Sequence, residues 1–369
     1  MRRTEPPARR LDTEPHKEAT LATRIVQVGM GLWGLIWGGV IRRLEAQEDV
    51  ELAACVDTHS AALAQAQSRL GIPAERCFTS LEAALQAVEA EAVLVTTALP
   101  AHVPVALAAL QAGKHVLLEK PFAPTLAEAR RVVETAAACG RVLMISQNYR
   151  FFPAVRTVAA LVREGTLGKV GAVSIDFRRN ANTFPREGHR HYTIQQPLLM
   201  DMAIHHFDLL RMVLGQEPRQ VFCHAWNPPW SNFRDPAAAV ATITFDGGTV
   251  VSYRGSWVSP APKTPWAGMW RMEFEGGEVL WTSRGDISSR ASSDRVTVRL
   301  LGKPARRVEL PTLPYIDQAG SLMAFVEAIR TGKEPESSGR ENLGSVALMN
   351  TAVESATSGL PLFVPSVTE

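Results

Sequence analysis

The chain has 369 residues, 46% of them hydrophobic and 21% charged, with a formal net charge of +2 at neutral pH. That length supports two hydrophobic cores, and the charge is too small to argue for nucleic acid or an anionic membrane surface as a partner. No apolar run is long enough to span a membrane, and four scattered cysteines without a C-x-x-C pair imply reduced thiols in a cytoplasmic protein.

Residues 1–22 carry Arg2, Arg3, Arg9, Arg10 and Lys17 against Glu5, Asp12, Glu14 and Glu18, with three prolines and hardly an apolar cluster. Such a segment cannot bury enough surface to offset its ordering entropy, which predicts a disordered extension or an upstream start codon. The paired arginines lack a following hydrophobic region, which argues against an export signal.

From Arg24 a short β-rich run leads into Gly29-Met30-Gly31-Leu32-Trp33-Gly34, a G-x-G-x-x-G sequence between a strand and a helix. Gly29 permits the tight turn, Gly31 lets a pyrophosphate approach the backbone, and Gly34 allows close helix–strand packing. The helix N-terminus adds free N–H groups. Leu32 and Trp33 lie inside this loop, with Trp33 a candidate wall for the nicotinamide. A second strand, residues 50–56, ends at Asp57, 23 residues beyond Gly34. A carboxylate there accepts hydrogen bonds from ribose hydroxyls and repels a 2′-phosphate, so NAD is expected in preference to NADP.

The alternation continues with helices over 61–70, 80–88, 103–112 and 124–139 and strands over 77–79, 91–96, 115–119 and 142–146. This predicts a doubly wound parallel Rossmann sheet over residues 23–147, with ligands at the carboxyl ends of its strands. Thr97, Pro100 and His102 follow one such end, and Glu119 and Lys120 follow another, in front of Pro121. All five are therefore candidate cofactor contacts.

Residues 148–339 read differently. A helix over 154–164 leads into a strand over 170–178, and paired strands flank Asp246-Gly247-Gly248 and Glu275-Gly276-Gly277. Another strand over 295–301 extends the pattern. This predicts an α+β domain with a large, mostly antiparallel open sheet, whose uncovered face implies a homo-dimer or homo-tetramer. Helices over 318–330 and 341–357 end the chain, and a helix over 340–358 is expected to pack back on the first domain.

Within the second domain, Leu198 to Gly215 reads as one helix, with Met200, Ile204, Phe207, Leu210 and Leu214 at inward spacing. Asp201, His205 and Asp208 then share a face. A carboxylate one turn before an imidazole can orient it and raise its basicity, as a general base requires. Asp208 is expected to be structural and His206 a bystander. A metal site built on Asp201, His205 and Asp208 is set aside, since no further His or Cys cluster accompanies them.

Taken together, Gly29-x-Gly31-x-x-Gly34, Ala112-Gly-Lys-His-Val-Leu-Leu-Glu119-Lys120-Pro121, Asp201-x-x-x-His205-x-x-Asp208 and the ending Gly332-Lys-Glu-Pro335 with Glu341-Asn342-Leu343 resemble the Gfo/Idh/MocA oxidoreductase family from about residue 23 onward. The resemblance implies an NAD(P)-dependent oxidoreductase of sugars, inositols or related polyols. It also implies that Lys120 contacts the reacting hydroxyl and that Asp201 and His205 line the substrate site. His205 would take the hydroxyl proton while Lys120 stabilises developing negative charge on oxygen.

One departure stands out: where many members carry a glycine run before the aspartate, this chain has Gln195-Gln196-Pro197-Leu198-Leu199-Met200. Arg150, Arg178, His191 and Tyr192 are candidate substrate contacts from the Arg-, His- and Asn-rich stretches nearby. Two alternatives are an NAD-dependent glycoside hydrolase of the same family and a non-catalytic nucleotide-binding regulator; the latter has no need of a proton-transfer set.

Overall fold

The computed structural model describes residues 22–367 apart from 48, 186–188 and 287–292. The expectation of a disordered extension concerns residues 1–22, of which 1–21 lie outside these. Six parallel strands form the first sheet: β1 (Thr23–Val28), β2 (Val50–Val56), β3 (Cys77–Phe78), β4 (Ala92–Val95), β5 (His115–Leu118) and β6 (Leu143–Ile145), in the order β3-β2-β1-β4-β5-β6. The strands are short apolar runs because helices cover both faces. Those helices are α1 (Leu32–Glu45), α2 (Ser60–Leu70), α3 (Leu81–Ala87), α4 (Leu99–Gln111) and α5 (Leu126–Ala138). Strand order reverses between β1 and β4, which opens a crevice at their carboxyl ends.

Local sequence explains most boundaries. Ser80 caps α3 by accepting the Ala83 N–H at 3.2 Å, and Thr125 caps α5 by accepting the Glu128 N–H at 3.2 Å while its hydroxyl donates to the Glu128 carboxylate at 2.8 Å. Helix α4 begins at Leu99, four residues before the expected start at Val103. Pro100 sits in its first turn, where a missing N–H costs nothing.

Nine strands form the second sheet, in which only β7 (Val170–Arg178) and β10 (Val250–Ser256) pair in parallel. Its other strands are β8 (Pro218–Trp226), β9 (Ala238–Phe245), β11 (Met269–Phe274), β12 (Gly277–Thr282), β13 (Arg295–Leu300), β14 (Arg306–Arg307) and β15 (Leu362–Phe363). Helices α6 (Pro153–Glu164), α7 (Ala203–Leu214) and α9 (Gly339–Ser358) lie on one face. Helix α9 also packs against α5 of the first sheet. Helix α8 (Asp317–Thr331), which the sequence groups with the second domain, instead buries Leu322, Phe325 and Val326 beside Trp37 and Ile41 of α1. Its i, i+3, i+4 apolar stripe fills the flank of the parallel sheet.

The helix expected over 198–215 is two elements. Pro197–Met202 is a π-turn, and the α-helix proper starts at Ala203. The wider turn displaces Asp201 from the face carrying His205. Asp208 is buried on α7, where Arg150 grips it with Nε and Nη2 at 2.7 and 2.5 Å. The same guanidinium reaches Glu341 at 2.8 Å, and Glu341 takes Arg211 at 3.0 Å, so α9 is tied to α7. Burial opposes the Arg150 charge, but Asp208 and Glu341 outweigh it and raise its pKa.

Removing one member of a buried ion pair strands its partner in a low dielectric. Arg150→Met is accordingly expected to lower unfolding free energy by roughly 3 kcal/mol or more. Urea denaturation followed by circular dichroism measures this, and a loss under about 1 kcal/mol would contradict the assignment.

Candidate active site

The glycine loop is shaped by contacts that tolerate no side chain. Gly29 has φ +97°, and a Cβ there would lie 2.7 Å from the Thr97 nitrogen. A Cβ on Gly34 would meet the Gly29 carbonyl oxygen at 1.9 Å. Gly31 is different: it has an ordinary negative φ and open space where its Cβ would be. That space adjoins the free N–H groups at the start of α1, a cradle suited to a pyrophosphate. Beneath the loop, Gln27 donates to the Gly34 carbonyl at 2.7 Å, and the Thr96 hydroxyl donates to that of Gly29 at 2.7 Å. Neither scaffold residue is conspicuous in sequence.

Asp57 ends β2 as expected and accepts the Met30 N–H at 2.7 Å through Oδ2. This places its carboxylate beside the loop. Leu32 and Trp33 open α1, exposed by 74% and 36%, so both remain available to a cofactor. Pro100 is exposed. His102 is not available: its ring is buried with Nδ1 2.8 Å from the Pro121 carbonyl and Nε2 3.1 Å from that of Thr97. It joins two loops at the strand ends instead of facing the crevice.

A cleft of about 380 Å³ opens between the two sheets. From the first sheet Trp33, Thr97, Glu119 and Lys120 line it; from the second, Asp201, His205, Trp266 and Arg284 do, and Tyr149 joins them from the connecting segment. Lys120 Nζ donates to Asp201 Oδ1 at 2.7 Å and to the Asp201 carbonyl at 3.0 Å. Burial would discharge the ammonium, but Asp201 and Glu119 prevail and its pKa is raised. Glu119 is itself buried; it accepts from Trp37 Nε1 at 2.7 Å, and burial pushes its carboxyl up.

Asp201 is thus the partner of Lys120, and no hydrogen bond joins it to His205. The imidazole lies flat on Tyr149, with ring centroids 3.8 Å apart and planes 2° from parallel. Its Nδ1 is buried without a partner. Burial, followed by the charges of Lys120 and Arg284, holds its pKa well below the usual value. The expected carboxylate-assisted base is therefore replaced by a neutral imidazole facing a lysine cation. The π-turn is the cause, since it aims Asp201 at Lys120.

The other expected substrate contacts lie elsewhere. Arg150 is committed to Asp208 and Glu341. Arg178 pairs with Asp176 and donates to the Pro262 carbonyl. Tyr192 is buried, with its hydroxyl bonded to the Phe184 carbonyl at 2.8 Å. His191 is partly buried and packs edge-on to Phe233 and Trp257. Tyr149, Trp266 and Arg284 were not anticipated, because nothing in their sequence neighbourhoods marks them. Among the described residues, no group of three or more His, Cys, Asp or Glu side chains could hold a metal.

Comparison with known families matches residues 23–147 to an oxidoreductase family with an NAD-binding Rossmann fold, and residues 155–278 to the GFO/IDH/MocA C-terminal domain. D-apiose dehydrogenase of Paraburkholderia graminis is 26% identical over 323 residues, covering 86% of this chain and 84% of that protein. 1,5-Anhydro-D-fructose reductase of Ensifer adhaerens is 25% identical over 340 residues, covering 89% and 97%. The structure of aldose–aldose oxidoreductase from Caulobacter crescentus, complexed with glycerol, matches with a TM-score of 0.79 at 22% identity over 93% of this chain and 99% of that one. At that identity the last likeness speaks to fold alone.

The glycines separate folding from binding. Gly31→Ala has room for its methyl group and an ordinary φ, so its melting temperature is expected to stay close to wild type while NAD affinity falls at least tenfold. Gly34→Ala is expected to lose stability as well, because the Gly29 carbonyl must move. Thermal melts paired with NAD titration calorimetry distinguish the two; unchanged NAD affinity in Gly31→Ala would remove the cradle.

Proposed function

The chain belongs to the Gfo/Idh/MocA family of NAD-binding oxidoreductases, and from that premise we propose that it moves a hydride between NAD and a hydroxyl-bearing carbon of a sugar, inositol or related polyol. The observation that carries this reading is the meeting of a charged Lys120, paired with Asp201, and a partnerless His205 imidazole in one cleft beside the glycine loop. The open space at Gly31 and the carboxylate of Asp57 fit a dinucleotide, and Asp57 favours NAD over NADP. When bound, the nicotinamide supplies the hydride acceptor or donor.

The protein's own residues supply the rest. The Lys120 ammonium donates a hydrogen bond to the reacting oxygen and stabilises negative charge developing there. His205, neutral near pH 7, accepts the hydroxyl proton. Asp201 keeps the lysine charged and fixes Nζ in place. Tyr149 supports the imidazole by stacking, and burial keeps its phenol protonated against the pull of Arg284 and Lys120.

Incubation with NAD and a panel of polyols, aldoses, inositols, sugar acids and glycosides, followed as NADH formation and aglycone release, tests the reading. Lys120→Ala and His205→Ala are each expected to lose on the order of 10²-fold or more in kcat. Aglycone release from glycosides without net NADH would identify a hydrolase instead. The depressed His205 pKa adds a pH signature: the base is lost as pH falls through that value, so activity should persist at pH about 6.5, where an ordinary histidine is half protonated. Lys120→Met removes a charge that holds this pKa down, and the acid limb of its residual activity should move to higher pH. A wild-type acid limb centred near pH 6.5 would contradict the assignment.

No described helix is long and apolar enough to cross a membrane, and all four cysteines are free, which is consistent with the cytoplasmic placement we infer. The uncovered face of the second sheet exposes Phe222, Val240, Met269 and Leu280 around a trough of about 610 Å³. We infer that a second copy covers it. Sedimentation at micromolar concentration should give a dimer or tetramer, and Leu280→Asp should shift it toward monomer; a wild-type monomer would refute this.

A further inference from the structure

Arg284 is a cation that the proposed chemistry does not use. It follows β12, lines the cleft with Lys120, Asp201, His205, Tyr149 and Trp266, and is only 8% exposed. Nη1 donates to the Tyr149 hydroxyl at 3.1 Å, and the guanidinium carbon lies 4.4 Å from the centre of that ring. The Nε–Nη2 edge has no hydrogen-bond partner among the described residues, and Nε is buried. The carboxylate oxygen paired with that edge, Asp317 Oδ1, stands 3.7 Å from Nε, beyond hydrogen-bond reach. Asp317 instead accepts from Asn148 Nδ2.

This is an expensive arrangement for a site that takes only neutral polyols. A buried guanidinium with unmade hydrogen bonds calls for an anion, whereas hydroxyls can be held by Asn, Ser or Thr at far lower desolvation cost. The backbone at Arg284 has φ +55°, a conformation rare for a residue bearing a Cβ. Such strain concentrates at functional positions. The Lys120 charge is matched by Asp201 at 2.7 Å, while Arg284 is matched only at 3.7 Å. Both cations depress the His205 pKa after burial, so the field at the imidazole is net positive.

We propose that the substrate carries a carboxylate, as in an aldonate, a uronate or another hydroxy acid, and that Arg284 receives it at its unpaired Nη2 while Lys120 and His205 act on a hydroxyl. The inference rests on the dehydrogenase reading above. A carboxylate oxygen accepts a charge-assisted hydrogen bond from a guanidinium N–H, about twice as strong as a neutral one. Trp266 is fixed beside Arg284, with its N–H on Asp286 at 3.1 Å and Arg179 over its ring at 4.2 Å.

The test compares matched pairs, D-glucitol with D-gluconate and D-galactose with D-galacturonate, together with glucose 6-phosphate, in NADH formation by the full chain. The carboxylates should exceed their neutral partners at least tenfold in kcat/KM, and Arg284→Met should collapse that preference at least tenfold through KM. Arg284→Lys should restore part of it. Titration calorimetry of the NAD-loaded protein gives a second readout, in which gluconate binds at least tenfold more tightly than glucitol and the difference disappears in Arg284→Met. NADH from neutral substrates with no carboxylate preference would overturn the proposal and leave the dehydrogenase reading standing. A preference for glucose 6-phosphate would also overturn it. No NADH from any substrate, with no gluconate binding, would sink both.

Discussion

The ion pair between Lys120 and Asp201 is the contact on which the site depends, because it is where the parallel sheet and the open sheet meet in charge. Lys120 stands at the carboxyl end of a strand of the first sheet, and Asp201 in the π-turn ahead of α7 in the second unit. Each would be costly alone. A lysine this buried would drift toward its neutral form, and the nearby carboxylates reverse that direction. The pair is therefore a position lock and a charge lock at once, and the glycine loop and the imidazole are arranged on either side of it.

That lock holds only if α7 is fixed relative to the first sheet. The Arg150–Asp208–Glu341–Arg211 cluster performs this function from beneath. Arg150 comes from the segment joining the two units, Asp208 and Arg211 from α7, and Glu341 from the first turn of α9, which also rests on α5. A hydrophobic contact could hold the same elements together with little preference for register. A bidentate guanidinium–carboxylate pair permits one geometry, and a substrate site needs its lysine and imidazole held to within a fraction of an ångström.

Sequence reveals what is local and conceals what is assembled. The glycine loop, Asp57 and the alternation of strand and helix are legible because each follows from a few consecutive residues obeying a backbone rule. The order of the chain also identifies Glu119 and Lys120, which sit where parallel strands end. By contrast, Tyr149, Trp266 and Arg284 reach the cleft from separated segments: Tyr149 follows β6, beside the strand that ends before Lys120, while the pairing of β11 with β12 brings Trp266 and Arg284 together. Periodicity correctly identified a helix around His205, yet it assumed α geometry through Asp201. One extra residue per turn in Pro197–Met202 redirects that carboxylate, and no 3.6-residue pattern can encode this. Strand β8 alternates only weakly, since Phe222 and Trp226 on its outer side are as apolar as the residues facing the helices. A large residue on the uncovered side masks the period of two.

Three described non-glycine residues adopt positive φ: Gln196, Arg284 and Asp317. Arg284 lines the cleft, and Asp317 lies behind it. Gln196 immediately precedes the π-turn that aims Asp201, Arg284 lines the wall, and Asp317 accepts from Asn148, another residue of that wall. Each such conformation costs of order 1–3 kcal/mol, less where the side chain is Asp. Arg284 and Asp317, side by side, mark where packing was overruled by geometry. The buried ionic cluster beneath α7 and the continuous apolar core joining both sheets offset that cost. Glycine at position 284 would remove the strain at once, but it would also remove the guanidinium. The strained backbone is kept because the side chain it carries is needed at that place in the cleft, and this is the sense in which conformation, charge and chemistry are decided together here.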